Sequence, residues 1–124
     1  MDLSPFFRSM AEQDTSAVVM CDTEHTVVYM NPAAVLQYAK RGGAELIGKS
    51  LLDCHNKRSN ELINRVVDWF KADKSHNIIH TFYNEKQNKD VYMVALRDGQ
   101  GKLIGYYEKH EFRNLETMQL YDLY

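Results

Sequence analysis

The last third of the chain contains three β-rich runs in succession, separated only by short polar breaks. The runs cover residues 77–83, 90–97 and 103–112. The second break, Asp98-Gly99-Gln100-Gly101, is typical of a tight hairpin because glycine tolerates the backbone angles of such turns. Breaks this short join antiparallel neighbours, whereas parallel strands need a longer crossover. The sequence therefore predicts three adjacent antiparallel strands.

The first third adds two more strands, and helices lie between the two β-rich parts. Apolar runs at 17–21 and 26–30 flank a polar break and predict a β-hairpin. Asn31-Pro32 then marks the start of a helix over 32–40, and apolar residues at helical spacing predict a longer helix over 59–72. This segregation indicates an α+β fold, a five-stranded antiparallel sheet with helices packed over one face. The gap between helices and sheet is the natural place for a small ligand.

The N-terminus predicts a short cap helix over residues 5–13. We divide the chain into this cap helix (1–13), a domain (14–113) and a tail (114–124) that either forms a short helix or frays. The strands of the first hairpin are apolar on both faces, so the outer face of the sheet needs cover. The cap helix can cover part of that face and a second copy the rest. We therefore expect a homodimer whose interface includes Phe6, Phe7 and Met10.

Composition excludes several classes of protein. With 124 residues, 44% of them apolar, the chain suits one packed domain. A formal charge of −2 argues against binding to nucleic acid or to an anionic membrane, and no apolar run approaches the ~20 residues of a membrane span. Cys21 and Cys54 form neither a disulfide framework nor a zinc site, and no secretory signal is visible, so we expect reduced thiols in the cytoplasm. No catalytic motif occurs, and we expect no enzyme.

Three motifs occur in a fixed order along the chain. They are residues 28–34 (VYMNPAA), 45–50 (ELIGKS) and 97–105 (RDGQGKLIG). In order and spacing they resemble the PAS domain family over residues 14–113. Residues 51–55 (LLDCH) are also similar to a Cys-His segment of a bacterial PAS subgroup, some of whose members are fused to hemerythrin-like domains.

The resemblance implies a stand-alone sensory or interaction module rather than an enzyme. PAS domains hold haem, flavin or a small metabolite between helices and sheet, or hold nothing. Because the chain ends about ten residues after the last predicted strand, we expect signalling through an unidentified partner protein or through the dimer. The leading function is a small-ligand-binding PAS sensor acting through its dimer, and the alternative is a cofactor-free PAS interaction module. A third hypothesis, a small α+β enzyme, requires a carboxylate or histidine with a strongly perturbed pKa inside the cavity.

Haem is the leading named cofactor under this resemblance. His55 is the candidate axial ligand, since neutral imidazole binds metals near pH 7; the alternative is a loop histidine bonded to backbone. Two departures lower the expectation of known PAS chemistries: the long helix lacks the histidine of oxygen-sensing haem members, and Leu51 occupies the position of the flavin-adduct cysteine. The candidate pocket residues are Tyr29, Cys54, His55, Val66, Phe70, Met93 and Tyr107.

Two other histidines lie on predicted strands. Strand alternation places His80 with Ile78 and Phe82 on an apolar face, where it is either a core or rim group or a ligand contact. His110 lies between Lys109 and Glu111, so we expect it to be solvated. The basic pair at 57–58 either binds an anionic group at the cavity mouth or is solvated, and the pair at 40–41 is expected to be a solvated helix end.

Overall fold

The computed structural model describes residues 1–122. Five strands form one antiparallel sheet: β1 (Val19–Asp22), β2 (Val27–Met30), β3 (Ile78–Asn84), β4 (Lys89–Arg97) and β5 (Leu103–Phe112). Their order across the sheet is β2-β1-β5-β4-β3. The first hairpin therefore pairs with the last strand, and the predicted α+β fold is confirmed.

Three α-helices and three 3₁₀ turns complete the fold. The helices are α1 (Ser4–Gln13), α2 (Pro32–Gln37) and α3 (Lys57–Ala72), and the turns are Ala39–Arg41, Gly43–Leu46 and Leu51–Cys54. α2 is shorter than predicted because the chain tightens into the first 3₁₀ turn. α3 begins two residues earlier than predicted because the Asn56 side chain accepts a hydrogen bond from the Ser59 N–H at 2.8 Å.

The predicted tail contains no regular structure where it is described. Residues 113–122 form neither helix nor strand, and the last two residues of the tail lie outside the described residues. Within residues 1–122, no helix is long and apolar enough to cross a membrane.

The core lies between the helices and one face of the sheet, which we call the inner face. Side chains from β1, β2, α3 and β5 fill it, among them Val19, Cys21, Val27, Val67, Phe70 and Tyr106. Gly105 lets β5 lie close to β1, because a Cβ at that position would collide with the carbonyl oxygen of Cys21. Tyr106 is paired with Cys21 across β5 and β1 and both lie in the core, so the face of β5 that carries Tyr106 points inward.

One buried asparagine joins three segments of the chain. Asn31 is fully buried and precedes α2 as its N-cap, with Oδ1 accepting from the N–H groups of Ala34 and Val18, both at 2.9 Å. Its Nδ2 donates to the carbonyl oxygens of Ala11 at 3.0 Å, Asp14 at 3.2 Å and Ser16 at 2.9 Å. The side chain thus ties the end of α1 to the sheet and to α2.

α1 lies over the opposite, outer face of the sheet. The Tyr29 hydroxyl donates to Glu12 at 2.7 Å, and a gap beneath the helix is lined by Met20 and Tyr107. Burial and the Glu12 carboxylate raise the pKa of Tyr29 to about 12. No residue of α1 is buried, and Phe6, Phe7 and Met10 are 59%, 62% and 69% exposed. Part of the outer face is therefore covered, while the apolar side of the helix is bare.

Candidate functional site

A cavity of about 230 Å³ separates the helices from the inner face at the β3–β4 end of the sheet. Its helical wall comprises the end of α2, the residue before the Asn56 cap and the first half of α3. Its sheet wall comprises β3, β4, β5 and the turn between β3 and β4. The cavity is lined by charged, polar and apolar side chains, among them Gln37, Tyr38, His55, Lys89, Met93, Glu108 and His110.

The sheet wall is polar where a core would ordinarily be apolar. Lys89 and Met93 are four residues apart on β4, and Glu108 and His110 are two residues apart on β5. Residues an even number of positions apart on a strand share a face, so all four side chains lie on the inner face. Met93 is paired with Glu108, and Val91 is paired with His110. This register places His110 between Lys89 and Glu108.

Lys89 is the most unusual residue of this wall because it is only 3% exposed. Its Nζ lies 3.5 Å from Gln37 Oε1 and 5.7 Å from the centre of the Phe112 ring. Among the described residues, no carboxylate oxygen lies within 4.0 Å of it. Burial lowers the pKa of Lys89, and the more distant Glu108 charge opposes that shift only in part.

Glu108 and His110 form a loose pair in the same wall. His110 Nε2 lies 3.6 Å from Glu108 Oε2, and their side chains are only 6% and 14% exposed. His110 Nδ1 is buried and has no hydrogen-bond partner within residues 1–122. A buried polar atom without a partner costs about 1–3 kcal/mol, so a ligand group that bonds to it would recover that free energy.

The helical wall adds a second histidine and a half-buried tyrosine, Tyr38. His55 Nδ1 donates to the Leu51 carbonyl oxygen at 3.0 Å, which leaves Nε2 as the free ring nitrogen of the neutral side chain. Burial, followed by the Glu108 charge, raises the pKa of Tyr38. Its hydroxyl therefore remains a hydrogen-bond donor at all ordinary pH values.

The structure brings together only part of the set of candidate pocket residues. His55 and Met93 line the cavity. Cys54 contacts the neighbouring core beside Leu51, while Val66 and Phe70 are buried in the core outside the cavity wall. Tyr29 and Tyr107 lie on the outer face beneath α1, because Tyr106 is the residue of β5 that points inward.

The two strand histidines exchange their expected roles. His80 lies on the outer face, where its Nε2 is 2.9 Å from Asp90 Oδ1, and it is 45% exposed. A shift in strand register between His80 and Phe82 turns Phe82 toward the cavity, so the predicted alternation fails there. His110, expected to be solvated, is buried in the cavity wall.

The basic pairs also have definite places. Arg58 lines an open groove with Arg65 and Glu61 on α3, and this groove shares Ser59, Leu62, Thr81 and Phe82 with the cavity. Lys40 and Arg41 are exposed in the last turn of the Ala39–Arg41 3₁₀ helix, as expected, and Arg41 also donates to the Cys54 carbonyl oxygen.

Sequence reasoning missed Lys89, Glu108 and His110. The available signal was the two-residue period of β5, in which Tyr106, Glu108 and His110 share one face. The adjacent aromatic residues Tyr106 and Tyr107 obscured which face was inward. Choosing Tyr107 for the pocket directed the charged residues of this strand to the wrong face.

Haem does not fit this site. The cavity is smaller than the roughly 300–1,000 Å³ of pockets for drug-sized ligands and cofactors, so a porphyrin does not fit inside it. The wall opposite His55 contains an ammonium group and a carboxylate rather than an apolar slot for a macrocycle. The free Nε2 of His55 is therefore better suited to a hydrogen bond with a small polar molecule.

Comparison with known proteins identifies the family. A family model described as the PAS fold matches residues 11–109. The chain belongs to the PAS family. PAS domains are generally sensory, non-catalytic modules. A separate comparison with curated proteins found no match to this chain.

Solved PAS domains have the same architecture at low sequence identity. A PAS domain from Colwellia psychrerythraea is 12% identical with a TM-score of 0.66, and the match covers 90% of this chain and 97% of that one. A sensory box sensor histidine kinase from Vibrio cholerae is 11% identical with a TM-score of 0.60, covering 86% and 88%. The Aer2 receptor of Vibrio cholerae, a dual PAS-heme oxygen sensor, is 19% identical with a TM-score of 0.53, covering 77% and 92%. These likenesses establish the fold.

Proposed function

We propose that this PAS domain is a sensor that binds a small polar molecule between its helices and the inner face of its sheet. The observation that carries this proposal is the buried, unpartnered Nδ1 of His110 in the wall of a cavity that also contains Lys89 and Glu108. Buried polar groups are ordinarily paired in folded proteins. A ligand with matching donors and acceptors would pair these groups.

Native mass spectrometry of the gently purified protein tests this proposal. Wild-type protein, incubated with a filtered cell extract and then desalted, should retain a small molecule. Leu62→Trp fills the cavity from α3 and should abolish retention, whereas Asn64→Trp places the same side chain on an exposed part of α3 and should not. A wild-type protein that retains nothing, or a Leu62→Trp variant that retains as much as wild type, would contradict the proposal.

We propose further that the domain acts as a homodimer through α1 and the outer face. This part rests on α1, whose apolar residues Phe6, Phe7 and Met10 are more than half exposed although the helix lies on the sheet. An apolar helix face of this kind is stabilised by a second apolar surface. A ligand that alters the inner face could then change the dimer or the contact with a signalling protein.

Sedimentation velocity measures the dimer directly. The wild-type protein should sediment as a dimer, and the double variant with Phe6 and Met10 replaced by serine should sediment as a monomer. Leu36→Ser is the matched control, because Leu36 is 79% exposed on α2, on the other side of the sheet. A wild-type protein that sediments as a monomer at all accessible concentrations would rule out this mode of action.

The second candidate function is a cofactor-free PAS interaction module. The bare apolar side of α1 favours it independently of the cavity. In that case the Leu62→Trp variant would dimerise and engage its partner protein as the wild type does, and the wild type would retain no small molecule.

A further inference from the structure

The inner face presents a buried ammonium group with unused hydrogen-bond donors. Lys89 has three N–H donors, and its one hydrogen bond within residues 1–122 is the 3.5 Å contact with Gln37. Lysine is almost never this buried without a charged partner. An anion beside Nζ would supply the charged partner that Lys89 lacks within residues 1–122.

Glu108 does not fill this role. Its carboxylate is more than 4.0 Å from Lys89 Nζ but within 3.6 Å of His110 Nε2, so its close neighbour is the histidine. No carboxylate of residues 1–122 therefore forms an ion pair with Lys89. An added anion beside Lys89 Nζ would supply that ion pair.

His110 offers a second contact to the same ligand. It is paired with Val91, two residues from Lys89 on the same face, so the two side chains are diagonal neighbours. A carboxylate has two oxygens and can accept from Lys89 Nζ with one and from an N–H at His110 Nδ1 with the other.

A groove that adjoins the cavity carries matching charge. The groove that shares Ser59, Leu62, Thr81 and Phe82 with the cavity carries Arg58 and Arg65 against a single carboxylate, Glu61. A positively charged groove raises the local concentration of anions and speeds their association. The cavity itself, at about 230 Å³, has room for a few carbon atoms or one small ring beside Lys89 and His110.

We infer that the ligand is a small organic acid whose carboxylate is held by Lys89 and His110. This inference rests on the proposed ligand-binding function and specifies its ligand class. The apolar part of the acid would contact Met93 and Ile63, which line the same cavity.

Calorimetry with matched pairs of compounds tests the inference. Acetate, succinate and benzoate are compared with acetamide, succinamide and benzamide at constant ionic strength, and inorganic phosphate separates organic acids from anions in general. At least one acid should bind with a dissociation constant below about 1 mM, and at least about tenfold more tightly than its amide. Lys89→Met should abolish the preference, whereas Lys86→Met, the same charge change in the exposed β3–β4 turn, should keep it.

Each result decides between the two levels of the proposal. Amides that bind as tightly as acids, or acid binding unchanged in Lys89→Met, would overturn the inference while the cavity still binds a small molecule. Phosphate binding without acid binding would replace organic acids by inorganic anions. Binding of no compound here, together with a retained small molecule in native mass spectrometry, would refute the acid class alone, and failure of both experiments would refute the proposed function.

Discussion

Replacing Asn31 by alanine should destabilise the domain far more than an ordinary N-cap substitution does. The change leaves two buried N–H groups, those of Val18 and Ala34, without acceptors, at about 1–3 kcal/mol each. The three carbonyl oxygens that lose the Nδ2 donor are only partly buried, so water can replace it and the added loss is smaller. We expect a total loss of about 3–5 kcal/mol, a large fraction of the ~5–15 kcal/mol that stabilises a domain.

Asn56→Ala is the matched control for this prediction. Asn56 caps α3 with a single exposed hydrogen bond to the Ser59 N–H, and its loss should cost about 1 kcal/mol. Urea unfolding followed by the fluorescence of Trp69, the single tryptophan, gives both values at comparable m-values. If Asn31→Ala lost no more than Asn56→Ala, the reasoning about the buried network would be refuted.

Asn31→Asp separates the two halves of the network. A carboxylate keeps both acceptor contacts at the start of α2 but turns an oxygen toward the carbonyl oxygens of Ala11, Asp14 and Ser16. We expect faster hydrogen exchange in residues 11–18 and preserved protection in α2. Equal loss of protection in both segments would show that the side chain does not link them in this way.

Three further changes test the rest of the structure. Arg97 donates five hydrogen bonds that tie the end of α3 to β4 and the last hairpin, so Arg97→Met should lower the free energy of unfolding by about 2–3 kcal/mol. Arg97→Lys should recover only part of that loss. A loss below about 0.5 kcal/mol, the value expected for the control Lys102→Met, would count against this view. Lys89→Met should raise the free energy of unfolding by about 1 kcal/mol, because the desolvation of the buried ammonium group outweighs its attraction to Glu108. A clear loss of stability in urea would contradict this expectation. Arg113, and then His80, hold the pKa of Asp90 below its usual value. This carboxylate therefore contributes stability above pH ~4 that is lost as pH falls through its lowered pKa. Asp90→Asn should flatten that part of the stability–pH curve, and an unchanged slope in acid would refute this role of Asp90.

The sequence predicts the architecture because turns, caps and apolar period all agree. The Asp98 turn, the Asn31-Pro32 cap and the periodicity of α3 each have one physical interpretation, and all three are found in the structure. The bounds of α2 and α3 differ from the prediction only where a local hydrogen bond or a tighter turn ends a helix.

The site could not be predicted to the same extent, because it depends on which face of β5 points inward. The adjacent tyrosines at 106 and 107 are equally suited to either face. What decides between them is the pairing of Tyr106 on β5 with the buried Cys21 on β1, which joins residues more than 80 positions apart in the chain. The register shift after His80 likewise reverses the alternation that would have placed Phe82.

The central claim is that a small molecule enters between the helices and the inner face. Methyl NMR of methionine-labelled protein tests it most directly, because Met93 lines the cavity while Met20 lies beneath α1 on the outer face. Titration with the six acids and amides, and with the filtered cell extract, should shift the Met93 methyl signal saturably and leave the Met20 signal in place. A Met93 signal that no addition moves, or one that moves only together with Met20, would contradict the account.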